Sequence, residues 1–372
     1  MRRPRRRSSD VLLLDANATE PLRPEARAAA IAGLDLPGNP SSVHAEGRAA
    51  RRLLEDSRSA VAAAFGARAQ DVVFTAGGTE ANALAVRGLA VGRRVLAGAT
   101  EHPAVLRAAP GATPLPVLAD GTVDLAALEA ALAGGAPALV CLMAANNETG
   151  VLHPIAAAAA ICRRHGALLH VDAVQAAGRV PVALGEADSL AISGHKLGGP
   201  KGAGALLLRP GLDLPPIFAG GGQERGRRGG TEPLPAIAGL AAAVRAAVPE
   251  GAGPLAALRD AIEAAIAAIA PEVRFPGREA PRLPNTTSIL LPGVPAETQV
   301  IALDLAGVRV SAGAACSSGK VAASHVLAAM GFGPEAGSAI RVSLPWNAPD
   351  DAAERFVQAW SAMRSRLSRR AA

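Results

Sequence analysis

Tyrosine is absent from this 372-residue chain, and phenylalanine and tryptophan bring the aromatic share to only 2%. With 50% of residues hydrophobic, the core must be assembled mainly from Ala, Leu, Val and Ile. Cysteine is scarce too. Cys141, Cys162 and Cys316 are too few for a disulfide framework or a four-thiolate metal site, and they suit a reducing cytoplasm. Membrane-type runs are missing: the longest uncharged stretch, residues 130–147, contains Gly134, Gly135, Pro137, Asn146 and Asn147, which excludes a spanning helix. The N-terminal MRRPRRRSS has no apolar segment of the kind a secretory signal carries and reads as a solvated tail. Acidic residues are lacking from both ends, 1–9 and 361–372, where Arg2, Arg3, Arg5, Arg6, Arg7, Arg364, Arg366, Arg369 and Arg370 gather. These nine charges exceed the whole net charge of +6, so the body between them is mildly acidic and no nucleic-acid groove is expected.

What is present is an alternation. From residue 71 onward, runs such as DVVFT (71–75), RVLAG (94–98), ALVCLMA (138–144), ALLHV (167–171), SLAIS (189–193) and AGALLL (203–208) read as buried strands separated by alanine-rich helices. Apolar runs without strict alternation imply a mostly parallel sheet covered by helices on both faces. Past Gly251-Ala252-Gly253-Pro254 the pattern changes to a smaller C-terminal α+β arrangement: a helix (255–269), SILLPG (288–293), VRVSAG (308–313), AIRVSL (339–344) and a final helix from about Asp351. The expected division is therefore 1–19 as an N-terminal segment open to packing on the small domain, 20–254 as a large α/β domain, and 255–372 as the small domain.

Ligands of open α/β sheets bind outside the carboxyl ends of the strands, so the polar residues there carry the functional signal. After DVVFT stands Ala76-Gly77-Gly78-Thr79-Glu80 at the opening of a helix, where backbone N–H groups can cradle an anion; such a pair is also an ordinary tight turn. After ALLHV stand Asp172 and Gln175; an aspartate there is costly unless it meets a cation or several donors, or caps a helix. After SLAIS stands Gly194-His195-Lys196, and a lysine can always snorkel to solvent. An anion cradle, an aspartate for a ring nitrogen and a lysine for a Schiff base are together the protein groups that pyridoxal phosphate requires. Three further strand ends or loops join them: Thr100-Glu101-His102, whose histidine can stack on a ring or shuttle protons; Asn146-Asn147-Glu148; and the glycine-rich basic loop 220–231, suited to a phosphate. In the small domain, Cys316 lies in SAGAACSSG (311–319), a setting that suits a thiolate nucleophile, whereas Cys141 and Cys162 sit in apolar strand and helix contexts. Arg341, inside AIRVSL, needs a partner: a substrate carboxylate or an internal acid.

These segments closely resemble the cysteine desulfurases within the class V aminotransferase family, enzymes of pyridoxal-phosphate fold type I that supply sulfur for iron–sulfur clusters and thiolated tRNA. Resemblance runs from Leu14-Asp15 to the last helix through GNPSSVH (38–44), TAGGTEAN (75–82), EHPAVL (101–106), NNETG (146–150), HVDAVQ (170–175), SGHKLGGPKG (193–202), GGGQERGRRGGT (220–231), ACSSGKVAASHVL (315–327) and IRVSL (340–344). It implies that Lys196 holds pyridoxal 5'-phosphate and serves as the base at the substrate Cα. Asp172 would keep the ring nitrogen protonated, and Gln175 would bond the phenolic oxygen with Asn147 near it and the substrate carboxylate. Gly78, Thr79, Ser193 and His195 would bind the phosphate, with Thr231 doing so across a homodimer interface. His102 would stack on the ring and Arg341 would grip the carboxylate of L-cysteine. Cys316 would take the sulfur as a persulfide, leaving L-alanine, and pass it to an acceptor such as an iron–sulfur scaffold or a tRNA-thiolation protein.

Ala16, Ala83 and Pro345 depart from the family's usual residues, and none of them removes a catalytic group. Rival readings are another class V enzyme, such as a small-amino-acid aminotransferase or a selenocysteine lyase, and a nucleotide-binding module. Transaminases need no thiol at Cys316, and a nucleotide module leaves Lys196 unexplained.

Overall fold

Strands in this chain are short, and those at the centre of the main sheet are covered on both faces. The structure is a computed structural model that describes residues 11–247, 253–313 and 323–371, with side chains to 367. The expectations placed on Cys316 therefore lie outside the described residues.

In chain order the strands are β1 (Leu12–Leu13), β2 (Val72–Thr75), β3 (Arg94–Gly98), β4 (Thr113–Leu115), β5 (Ala138–Met143), β6 (Leu168–Asp172), β7 (Ser189–Ser193), β8 (Gly204–Leu208), β9 (Thr286–Leu290), β10 (Val308–Arg309), β11 (Ser311–Ala312) and β12 (Ala339–Ser343). Seven of them form one sheet in the order β2-β8-β7-β6-β5-β3-β4. Its pairs are parallel from β4 through β7, and β8 alone runs against both of its neighbours, so the sheet is mostly parallel with helices on either side.

Successive side chains of a strand point to opposite faces. On β5, Val140 and Leu142 enter one core with Leu54, Val61, Ile161 and Leu240 of the helices Ala45–Ala64, Ile155–Arg164 and Leu234–Ala246. Leu139 and Cys141 enter the other with Ala81, Leu84 and Ala85 of the helix Gly78–Leu89. Small residues let that helix approach closely. A Cβ on Gly78 would meet Val174 Cγ2 at 2.6 Å, and one on Gly204 would meet the Cα of Gly77 at 2.7 Å.

A three-stranded antiparallel sheet, β11-β12-β9, packs with the helices Gly253–Ile269 and Ala352–Ala371 around a separate core holding Ile262, Ile340, Phe356 and Trp360. Leu12 and Leu14 enter this core, because β1 pairs in parallel with β10. The run VRVSAG breaks into β10 and β11 instead of forming one strand. The helix expected to open within residues 76–80 begins at Gly78, and the helices Pro24–Leu34 and Ala45–Ala64 had no counterpart in the sequence reading.

Candidate active site

A cavity of about 180 Å³ opens at the carboxyl ends of the central strands. Nine residues singled out from the sequence line it: Gly78, Thr79, His102, Asn147, Asp172, Gln175, Ser193, His195 and Lys196. Each arrives by a strand ending. Asp172 closes β6, Ser193 closes β7, and Lys196 follows in the single turn Gly194–Lys196.

Lys196 Nζ donates to the carbonyl oxygens of Asn17 at 2.6 Å and Ala18 at 3.0 Å. Its charge reaches Asp172, His102 and His195. Asp172 is 5% exposed. Burial raises its carboxyl above the ordinary range, opposed by two donors and the Lys196 charge. The donors are Val174 N–H to Oδ1 at 2.9 Å and Asn82 Nδ2 to Oδ2 at 2.7 Å. Gln175 Nε2 donates to Asn17 O, while its Oε1 accepts from the buried Arg179 guanidinium.

His102 sits before the short helix Pro103–Leu106, with Nδ1 accepting from Ala104 N–H at 3.1 Å. Its proton is therefore on Nε2 when the ring is neutral. Burial, then the charges of Lys196 and His325, lower its pKa to about 4. His195, also lowered to about 4 by burial and then by Lys196 and Lys201, is neutral at physiological pH as well.

At the far side of the cavity the helix Gly78–Leu89 points its N-terminus at the space between Thr79 and Ser193, with free first-turn N–H groups suited to a phosphate. Glu80 bends back to accept from Ala76 N–H at 2.7 Å and is held by Arg228 at 2.9 Å. The loop 220–231 is not a free basic arm. Glu224 is buried at 6% exposure, takes both guanidinium ends of Arg58 at 2.6 and 2.8 Å, and accepts from Phe74 N–H. Glu224 and Arg225 hold left-handed backbone, φ 48° and 57°, in this anchor. Thr231 is exposed and does not line the cavity.

Arg341 lies outside the lining as well. Its Nη2 pairs with Asp15 Oδ1 at 2.7 Å and its Nη1 donates to Asn147 O at 3.1 Å, while Nε has no hydrogen-bond partner among the described residues. Burial pushes the Cys162 thiol up to about 12 and the Cys141 thiol well above its ordinary value, which makes both inert packing groups.

Sequence reasoning assigned no individual role to several residues. Asn82 and His170 form a buried line to Asp172, and Asn17 supplies an acceptor for Lys196. Glu148 meets both flanks of the segment that carries Cys316: it accepts from Ser324 Oγ at 2.6 Å, and a Cβ on Gly313 would lie 2.3 Å from its Oε2. A signal existed for two of these. Asn82 is one helical turn from Gly78, and His170 is two residues before Asp172 on one strand face.

A lysine amine, a buried carboxylate held between two neutral donors, a neutral histidine and a helix N-terminus too crowded for a side chain at Gly78 suit pyridoxal phosphate. The chain belongs to the aminotransferase class-V family, whose profile matches residues 12–356. That family is pyridoxal-phosphate-dependent. Among its relatives, a cysteine desulfurase of Cereibacter sphaeroides is 44% identical over 333 residues, 85% of this chain and 86% of that one. The X-ray structure of a NifS-like protein from Rickettsia africae superposes with a TM-score of 0.88 at 34% identity, covering 95% of this chain and 99% of the other. A structure of SspA in complex with cysteine is similar too, with a TM-score of 0.79, 28% identity, and 90% and 99% coverage.

Proposed function

We propose that this chain is a cysteine desulfurase that removes sulfur from L-cysteine, releases L-alanine and carries the sulfur as a persulfide on Cys316. The observation that carries this reading is the junction of two features. Lys196, Asp172 and His102 line one cavity, and His325, one residue beyond the Ser324 flank of the Cys316 segment, donates to the Glu101 carbonyl beside His102 at 3.0 Å.

Pyridoxal phosphate, when bound, supplies an electron sink for charge developed at the substrate Cα. Lys196 Nζ would hold the cofactor and move the Cα proton. Asp172 would hold a proton on the ring nitrogen, and Gly78, Thr79, Ser193 and His195 would supply donors to the phosphate. Gln175 and Asn147, which line the cavity, would serve the ring and substrate oxygens. Neutral His102 presents its ring and Nε2–H to the cavity. Arg341 binds the substrate carboxylate by exchanging Asp15 for it. The Cys316 thiolate forms a bond to the substrate sulfur as the carbon–sulfur bond breaks, and the carbon takes up a proton to become the alanine methyl group. The balance is cysteine plus thiol giving alanine plus persulfide, with no outside oxidant.

Thr231 is assigned to the phosphate site of a second copy. An open groove of about 930 Å³ beside Thr79, lined by Ile217, Phe218 and Arg228, supports that pairing, and Phe218 is 58% exposed there. The sulfur acceptor is taken to be a protein, an iron–sulfur scaffold or a tRNA-thiolation factor, and the setting to be cytoplasmic. No helix among the described residues is long and apolar enough to cross a membrane. The test is an absorbance spectrum of the purified protein with and without L-cysteine, coupled to an alanine assay. A colourless protein, or one that makes no alanine, overturns the reading.

A further inference from the structure

Asp172 ends a line of four buried side chains. Ser189 Oγ lies 2.8 Å from His170 Nδ1, His170 Nε2 lies 2.9 Å from Asn82 Oδ1, and Asn82 Nδ2 donates to Asp172 Oδ2 at 2.7 Å. Ser189 and His170 are fully buried and Asn82 is 1% exposed, so water supplies no alternative partners. The line is built by register. His170 and Asp172 share one face of β6, Ser189 stands opposite His170 on β7, and Asn82 comes down from the helix Gly78–Leu89 above them.

Only one polarity satisfies every link while Asp172 is ionised. A carboxylate only accepts, so Asn82 must offer its amide nitrogen to Asp172 and its oxygen to His170. The ring nitrogen facing that oxygen must then be the protonated one, Nε2. Nδ1 is left as an acceptor, which the Ser189 hydroxyl fills. Burial lowers the His170 pKa to about 3, which keeps the ring neutral and restricts it to one donor nitrogen. Protonating Asp172 on Oδ2 would set its O–H against the Asn82 N–H, and protonating Oδ1 would set it against the Val174 N–H. Relief on the Asn82 side would require the amide to flip and the imidazole to move its proton to Nδ1 together.

We infer that His170 is a positioning residue which, through Asn82, locks Asp172 in its ionised, accepting form before the cofactor ring arrives. It touches neither cofactor nor substrate, since the cavity is lined by Asn82 and Asp172 but not by His170. The device answers a specific cost. Asp172 is buried beside a second buried carboxyl, Glu101, and only Lys196 among its charged neighbours favours ionisation. An aspartate that drifted to the neutral state would surrender its hold on the ring nitrogen's proton. Two fixed donors, one of them held in orientation by His170, oppose that drift.

The inference rests on Asp172 being the partner of the ring nitrogen, and the experiment separates the two. Pyridoxal phosphate labelled with nitrogen-15 in the ring is bound to wild type, to His170→Phe and to His170→Gln. The ring-nitrogen shift is followed by NMR from pH 6 to 9, and cofactor affinity is measured by equilibrium dialysis. Wild type is expected to keep the ring nitrogen protonated throughout; a deprotonated ring in wild type would sink the reading of Asp172 itself. His170→Phe is expected to lose roughly tenfold in cofactor affinity and to release the ring proton about one pH unit lower, the size of one charge-assisted hydrogen bond. His170→Gln, which retains an amide donor for Asn82, is expected to recover most of both. Unchanged shift and affinity in a folded His170→Phe protein overturn the inference. Should that variant not fold, histidine-labelled wild-type holoenzyme still decides: the signal missing from His170→Gln must be a neutral Nε2–H imidazole at pH 7, and an Nδ1–H tautomer or an imidazolium there refutes it.

Discussion

Arg341 and Asp15, 326 residues apart in sequence, meet in an ion pair of 2.7 Å in which the guanidinium is 8% exposed. The same guanidinium reaches Asn147 O, the backbone of a residue that lines the cavity, and keeps Nε without a partner among the described residues. A substrate carboxylate and the Asp15 carboxylate therefore compete for one cation. Arg341→Ala should weaken L-cysteine binding by about 2–4 kcal/mol while the cofactor spectrum stays normal. Asp15→Asn, which removes the competitor, should lower KM. Steady-state kinetics and urea stability of both variants decide the matter: if Arg341→Ala leaves KM unchanged while lowering stability, the pair is structural only.

Among the residues that line the cavity, Lys196 alone carries a side-chain amine, just past the end of β7. In Lys196→Ala the cofactor should no longer be trapped covalently by borohydride, although noncovalent binding at the helix N-terminus persists. Mass spectrometry of the reduced protein reads this directly, and cofactor mass retained in the variant would remove Lys196 from its assigned role.

Cys316 separates the proposed activity from others that this fold supports. Cys316→Ser should still bind L-cysteine and change colour, because those events need only the cavity residues. It should form almost no alanine, since a serine hydroxyl is far too weakly acidic to replace a thiolate near neutral pH. Cys141→Ser and Cys162→Ser should turn over normally if they fold, as both thiols are buried and held protonated. Extra sulfur found on either of those two, or alanine at the wild-type rate in Cys316→Ser, would contradict the mechanism.

Acid should destabilise the fold partly through His153. Burial lowers its pKa to about 4, against an ordinary value of 6.5, and its Nδ1 accepts from Val123 N–H at 3.1 Å. The unfolded chain binds this proton below pH 6.5 and the folded one only below about 4. Stability from this group is therefore complete above pH 6.5 and is lost as pH falls toward 4, by roughly 3 kcal/mol. His153→Gln keeps an acceptor for Val123 without a titrating ring. The difference in urea stability between pH 7.5 and pH 4.5 should shrink in that variant; an equal difference in both proteins would refute the assignment.

The cavity was legible in the sequence where chemistry coincides with strand ends. Asp172, Ser193 and Lys196 close buried runs, and the parallel-sheet rule places them on one edge. Arg341 was legible as a buried cation but not its partner, because Asp15 comes from the opposite end of the chain. The polarity line through Asn82 and His170 was hidden for the same reason, its links spanning 88 and 90 residues. Direction was hidden too. A fully apolar run such as AGALLL reads identically whether β8 lies parallel or antiparallel to β7. The glycine-rich loop looked free because its acids and bases stand side by side in sequence, whereas Glu224 finds Arg58 on a helix 166 residues away.

The meeting of Gly313 and Ser324 on Glu148 turns a question of recognition into one of leash length. Three residues of chain reach at most roughly 11 Å even when fully extended, and Cys316 is three residues beyond Gly313. Under the proposed function, sulfur on Cys316 would be delivered from a segment whose two flanks meet on one buried carboxylate. Under that proposal an acceptor would have to bring its own nucleophile to those flanks, so the shape of its tip would matter alongside the strength with which its body binds elsewhere.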